Sequence, residues 1–498
     1  MLNSHLFKDW TITITIGLVC GLALILAAGS EPKWFVFILI GLVGAGGLMV
    51  LKSREKFLLY FAVFISSSLL DINIGHQLSA TAVRPFSGLQ ITIFDIPFLM
   101  MVLSWLLRKI KNPELRIRFY PWFSVPILGI FLIALVSTIN AGDIPFLSSV
   151  SMLWHLFENW LVVIYLANNL RDTKTIMIVI CLMLASGLVQ TVVGAMQYIQ
   201  GSTLGLGIFG ESTKSLFAMK EGSGVVDRAA GLIGHPNQLA MFLGLLLSIN
   251  TALVFAPTGW RIKKYLLGSL AVLLIGELLT FSRGGWVALA AGSGFVVWWC
   301  LARWIRNKVF SAIVLVITAA FMLTCAVILI SPVRQRILES DYGTASLRFP
   351  LMQVAVNMIA QNPWLGVGPG NYQVVYHQYD DTREAITWGF PAPVHNEILL
   401  IGSELGVLAA LLFLLFIFWR QVLLWRVTKF TTQPIVAYLA IGLFGTWIGW
   451  FVHVQVDYAY SLFRIMPFWI LTGVSAALID PSNPIHALPS REDQADGA

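Results

Sequence analysis

Apolar residues in this chain come in long runs and do not alternate with polar ones. About fourteen such runs lie near 11–29, 34–51, 57–70, 91–107, 121–140, 148–168, 175–199, 238–256, 265–282, 285–302, 309–331, 397–419, 434–453 and 460–479. Most approach the ~20 residues that a bilayer-spanning helix needs. Only helices and closed barrels satisfy backbone polar groups in lipid, and runs this continuous predict helices. The first run lacks a small-residue cleavage site and is followed at once by the second, so it reads as a retained span.

Lys and Arg test this threading, because cytoplasmic loops gather positive charge. With the N-terminus inside, 21 of the 32 Lys and Arg residues fall in inner segments. Arg108, Lys109, Lys111, Arg116 and Arg118 follow span four, and Arg420, Arg426 and Lys429 follow span twelve. Every inner loop is basic, so both termini are predicted to be cytoplasmic. The chain divides into N-terminal spans (1–200), an outer loop (201–237), core spans (238–331), a large outer loop (332–396), C-terminal spans (397–479) and a disordered tail (480–498). Within the large loop, Leu347, Leu351, Ala355, Met358 and Ile359 recur at helical spacing and predict a short amphipathic helix lying on the membrane. It stops at Asn362-Pro363, where Gly366-Val-Gly-Pro-Gly370 forces turns.

Composition excludes a soluble alternative. Over 498 residues, 57% are hydrophobic and 11% charged, against roughly 25% charged in soluble domains. Mean hydropathy is +0.80. The net charge of +7 follows from loop topology before any acidic partner is invoked. Cys20, Cys181, Cys300 and Cys325 are far apart inside apolar runs and encode neither a zinc cluster nor an obvious disulfide. No P-loop, dinucleotide fingerprint or metal-ligand spacing appears, so neither a metal, a cofactor nor a nucleic-acid partner is expected.

The informative polar residues stand at outer ends of spans. Arg283, in Phe281-Ser-Arg-Gly-Gly-Trp286, lies on the side where topology does not favour positive charge, and Gly284 and Gly285 permit close approach of a ligand. Arg348 begins the loop helix, and a guanidinium pairs bidentately with phosphate or pyrophosphate. His395 opens span twelve, with Glu397 and Glu404 beyond it, and an imidazole suits general-base work near neutral pH. Arg228, His235 and Asn237 either line a polar cavity or only cap span eight. Asp95, Glu158 and Glu277, with His155 near Glu158, are intramembrane ionisable groups, functional by default or else structural hydrogen-bonding partners.

Taken together, Ser282-Arg-Gly-Gly-Trp286, the long loop with Arg348, Asn362-Pro-Trp-Leu-Gly-Val-Gly-Pro-Gly-Asn371, and His395-Asn-Glu397 with Glu404-Leu-Gly406 resemble the O-antigen ligase and O-antigen polymerase superfamily. The similarity is strongest from Arg228 to Gly406. It implies an all-α, GT-C-like glycosyltransferase of the bacterial inner membrane, working on the periplasmic face without metal or nucleotide sugar. The implied donor is a glycan on undecaprenyl pyrophosphate and the acceptor a sugar hydroxyl of a glycan or glycolipid. Other polysaccharide-assembly proteins are implied partners. Arg283 and Arg348 would hold the pyrophosphate, His395 would take the acceptor proton, and Glu397 would orient it. A ligase-type activity is expected, with polymerase as the alternative within the superfamily. A transporter using Asp95, Glu158 and Glu277, similar to putative inorganic-carbon carriers, and a non-catalytic scaffold are the readings from other classes.

Overall fold

The computed structural model describes residues 54–68, 70–74, 89–138, 146–212, 218–221, 224–305, 307–314, 316–317, 347–382, 386–389, 392–458 and 465–486. The runs expected over 11–29 and 34–51, most of that over 309–331, and the tail after 486 lie outside them. The described residues are mostly helical. Their N-terminal part contains α1 (Arg54–Ile65), α2 (Asp95–Lys111), α3 (Pro121–Ser137), α4 (Phe146–Asn169) and α5 (Thr173–Gln200). The core contains α6 (Pro236–Phe255), α7 (Trp260–Leu279) and α8 (Arg283–Ile305). The large loop holds α9 (Arg348–Gln361), α10 (Tyr372–Val375) and α11 (Ile386–Gly389), and α12 (Glu397–Leu405), α13 (Val407–Phe430), α14 (Pro434–His453) and α15 (Met466–Ile479) follow it. Two antiparallel hairpins decorate the loops: β1 (Asp71–Ile74) with β2 (Leu89–Thr92), and β3 (Ala218–Glu221) with β4 (Gly224–Asp227).

Among the described residues six helices are long and apolar enough to cross a membrane: Val150–Asn169 of α4, then α5, α6, α8, α13 and α14. Pro121–Ser137 and Met466–Ile479 are shorter apolar helices. Their ends obey local rules. The Asp172 side chain accepts from the Thr175 amide at 2.6 Å to start α5, and Pro236 takes the first turn of α6, where its missing N–H costs nothing.

The twelfth expected run, 397–419, is not one helix. It breaks at Gly406, which has φ +85°, and restarts as α13, which continues to Phe430. The loop imposes this break. Val407 N–H donates to the Pro363 carbonyl at 2.8 Å, and a Cβ on Gly406 would stand 2.5 Å from the carbonyl carbon of Trp364.

Helices α6, α8 and α14 pack on one another at backbone distance. A Cβ on Gly292 of α8 would meet the Gly445 carbonyl oxygen at 2.5 Å, and one on Gly449 the Ala288 oxygen at 2.8 Å. Small residues at such contacts let helices associate in lipid, where tails compete equally for apolar side chains. Arg420, expected in an inner loop, is instead fully buried within α13. Its guanidinium lies 3.6 Å from the Trp447 ring centroid and donates to Thr472 Oγ1 at 3.0 Å. The aromatic face supplies part of what water would otherwise give that charge.

Candidate functional site

One end of the α6–α8–α14 core gathers most of the singled-out residues. Arg228 Nε donates to the Thr280 carbonyl at 2.8 Å, and its Nη2 donates to Asn237 Oδ1 at 2.6 Å. Arg228 therefore fastens the end of α7 to the start of α6. His235 Nδ1 accepts from the Asn237 amide at 3.2 Å. In the neutral ring that leaves the proton on Nε2.

The Arg283 turn is built by its neighbours. Phe281 adopts φ +49°, the Ser282 amide donates to Thr280 Oγ1 at 3.2 Å, and Ser282 Oγ accepts from the Gly285 amide at 3.2 Å. Trp286 Nε1 donates to the Glu277 carbonyl at 3.3 Å. Arg283 is thus the first residue of a capped helix. Beside it, a Cβ on Gly284 would stand 2.9 Å from Val456 Cγ2 and 3.5 Å from His453 Nε2. The glycine lets the turn sit directly against the end of α14.

His395 and Arg348 come from the large loop. The Glu397 amide donates to the Val454 carbonyl at 3.0 Å and Asn396 Nδ2 donates to the Gln455 carbonyl at 3.3 Å, docking the start of α12 on the end of α14. Asn396 Oδ1 also caps α12, accepting from the Leu399 amide at 3.0 Å. The His395 ring meets Tyr458 edge-on at 5.3 Å. Arg348, at the start of α9, is an electrostatic neighbour of both His395 and His453.

The hub of the group is Asp457, buried in the turn after α14 and acted on by His395, His453 and His235. Burial alone would raise its carboxyl, but the three imidazoles favour the ionised form and hold it below the usual 3.8. For His395, burial pushes the imidazole below the usual 6.5 and Arg348 adds to that, while Asp457 and the Pro393 carbonyl oppose it. Burial takes His235 down to about 4. His395 and His235 are therefore neutral near pH 7. Among the described residues no group of three or more His, Cys, Asp or Glu is placed to hold a metal ion.

The Asn362–Asn371 segment holds the loop in place. Val367 N–H donates to the Ser403 carbonyl at 3.0 Å, Gly368 N–H to the Glu404 carbonyl at 2.9 Å, and Tyr372 N–H to Glu404 Oε1 at 3.3 Å. Gly366, at φ +62°, lies so close to the Glu404 backbone that no side chain fits. This clasp fixes α9 on α12, and with it Arg348 relative to His395.

Glu397 joins the group through its backbone, and its carboxyl is buried. The intramembrane acids do not form one set. Asp95 bonds Glu158 and accepts from the Thr92 amide at 2.6 Å, and His155 Nδ1 meets Glu158 Oε2 at 3.2 Å. Glu277 instead lies beneath the Arg283 turn against Gly285. Asp457 and His453 escaped the sequence reading because no motif frames them. A His and an Asp four residues apart at the end of a span was the available signal.

Fold and site together define a multi-helix membrane protein with cationic and imidazole groups around a buried aspartate at one end of its core. Residues 268–414 match the family model described as O-antigen ligase, which supports the resemblance to the O-antigen ligase and polymerase superfamily. The match takes in Arg283, Arg348, His395 and the clasp, and stops before His453 and Asp457. No curated protein matches the chain.

Proposed function

We propose that this protein is an O-antigen ligase-type glycosyltransferase of the bacterial inner membrane. It moves a glycan from undecaprenyl pyrophosphate to an acceptor sugar hydroxyl on the periplasmic face. The observation that most supports this reading is the meeting of Arg348, His395 and Asp457 beside the Arg283 turn.

The acceptor oxygen attacks the anomeric carbon as the bond from that carbon to the pyrophosphate oxygen breaks. Negative charge grows on the leaving pyrophosphate, where the Arg283 and Arg348 guanidiniums stabilise it. His395 takes the hydroxyl proton, and Asp457 supports the imidazolium that results. Glu397, buried and bonded through its amide to the Val454 carbonyl, holds the start of α12. One displacement inverts the anomeric centre.

The test is transfer by the full-length protein in vesicles, with undecaprenyl pyrophosphate glycan and glycolipid acceptor extracted from the cells. Arg283→Ala and Arg348→Ala should each lower transfer by about 10²–10³-fold while protein persists in the membrane. Lys at either position should rescue poorly, because an ammonium does not reproduce the guanidinium fork. Wild-type transfer by both alanine variants would remove the pyrophosphate clamp. Gene deletion then separates the two superfamily activities. Loss of all attached surface glycan marks a ligase; single attached repeats mark a polymerase.

A further inference from the structure

Among the described residues of the large loop, three large aromatic side chains are exposed: Phe349, Trp364 and Trp388. The Trp364 backbone packs on Gly406 at the start of α13, whose first residues Val407 and Leu408 are exposed, a position that suits a membrane-interface ring. Trp388 is built differently. It is 75% exposed, yet one face is stacked on His377 at 4.5 Å and 24°. His377 packs on Tyr376 at 4.2 Å and shares a 2.8 Å hydrogen bond with Thr387 Oγ1. Thr387 is itself held by Asp380 Oδ2, which accepts from its amide at 2.9 Å and its hydroxyl at 2.7 Å. A chain of four side chains thus holds an indole still while leaving its other face open.

The polar groups nearby on the loop are acidic and amide in character. Asn357 Nδ2 donates to Asp381 Oδ1 at 2.7 Å and to the Tyr379 carbonyl at 3.0 Å, and Gln353 Nε2 donates to Asn357 Oδ1 at 3.0 Å. Residues 349–389 carry three acids, Asp380, Asp381 and Glu384, against one cation, Arg383. Anionic lipid headgroups call for the opposite charge. A hydroxyl-rich ring with an apolar C–H face suits a ring quadrupole flanked by acceptors.

We infer that Trp388 is a saccharide platform, on which a pyranose ring of the acceptor glycan stacks; this rests on the glycan-transfer reading above. The platform shares a body with the site. Tyr376 and Ile386 belong to the same buried cluster as Leu351 of α9 and Val394, which precedes His395. A sugar on Trp388 is therefore carried by the same rigid unit as Arg348 and His395.

The test uses the full-length protein in nanodiscs with 5-fluorotryptophan incorporated. The Trp388 fluorine signal is the one missing from Trp388→Phe. The probe is oligosaccharide released by mild acid from the cells' own surface glycan, and it should shift that signal. In the transfer assay, Trp388→Ala should raise the acceptor KM about tenfold and leave the donor KM at its wild-type value, with Trp388→Phe closer to wild type. A signal that nitroxide-labelled phospholipid broadens and the oligosaccharide does not move would make Trp388 a membrane anchor and overturn the platform. A signal moved by neither would overturn it too, as would an unchanged acceptor KM. An oligosaccharide shift in a protein that transfers nothing from undecaprenyl pyrophosphate would support the platform and remove the transferase reading.

Discussion

Asp457 and Asp480 are both buried acids just past the ends of helices, and the chain surrounds them with different basic groups. Asp480 accepts from Arg118 at 2.7 Å and from Arg171 at 3.1 Å, with the Tyr120 hydroxyl at 3.2 Å and Ser482 close by. Asp457 faces His395, His453 and His235. The two lie at opposite ends of α14: the turn that starts this helix bonds the segment after Asp480, Thr432 Oγ1 donating to the His486 carbonyl at 2.6 Å. Guanidiniums keep their charge at any pH a cell meets, so the Asp480 cluster is a fixed clasp joining α3, α4 and the end of α15. Imidazoles change protonation near neutrality, so the Asp457 cluster can take part in moving a proton. On the proposed reading, the choice of partner separates a structural acid from a chemical one.

The sharpest way to break this comparison is to remove each acid's charge. Asp457→Asn should lower transfer by about 10²-fold, because the imidazolium formed at His395 loses its support. It should also move the acidic limb of the rate profile to lower pH, since Asp457 is the carboxylate that raises His395. A rate loss with an unmoved limb would make Asp457 merely structural. In the wild type, transfer should fall as pH drops through a His395 value that lies below 6.5. His395→Ala should remove that limb with most of the rate, about 10²–10⁴-fold. A limb that persists in an active His395→Ala protein would shift the base to His235.

A smaller effect is expected at Gly284. Its absent Cβ leaves room for Val456 and His453, with 2.9 Å to Val456 Cγ2. Gly284→Ala should push the end of α14 outward by a few tenths of an ångström and slow transfer by less than the loss of Asp457. Gly284→Val should cost more. Equal rates for all three would show that the Arg283 turn and the His453–Asp457 turn work independently.

Much of this was readable from sequence where chemistry travels in local motifs. Arg283, Arg348 and His395 each sit in a recognisable frame, and the helices follow from uninterrupted apolar runs. What was not readable depends on contacts between distant segments. Asp457 lies beyond every motif and acquires meaning only because Asn396 and Glu397 dock on residues 454 and 455. The run over 397–419 looks continuous because hydropathy ignores backbone direction; Pro363 and Trp364 impose the break at Gly406. Arg420 read as a loop charge because a lone guanidinium ends an apolar window, whereas Trp447 and Thr472, supplied by later helices, let it stay inside. The Asn362–Asn371 segment was visible as a motif, but its work as a clasp was not.

The smallest effect on transfer belongs to Asp480→Asn, which should leave the rate per folded molecule unchanged and lower stability by about 1–2 kcal/mol. Arg118 and Arg171 are partly solvated, which holds the figure to that range. The pH dependence separates this acid from Asp457 and His395. Burial would raise the Asp480 carboxyl, but Ser482, Arg118 and Arg171 outweigh it and hold it below 3.8. A carboxyl lowered on folding adds stability that is present above its unfolded value and lost as pH falls through its folded one. Denaturant midpoints of wild type and Asp480→Asn should therefore differ by a constant amount from pH 7 to pH 5 and converge only below pH 3.8. Transfer, by contrast, should fall as pH drops below 6.5 and His395 takes on its proton. Midpoints that converge alongside the activity limb would mean that one titration governs both ends, and the division between clasp and chemical site would not hold.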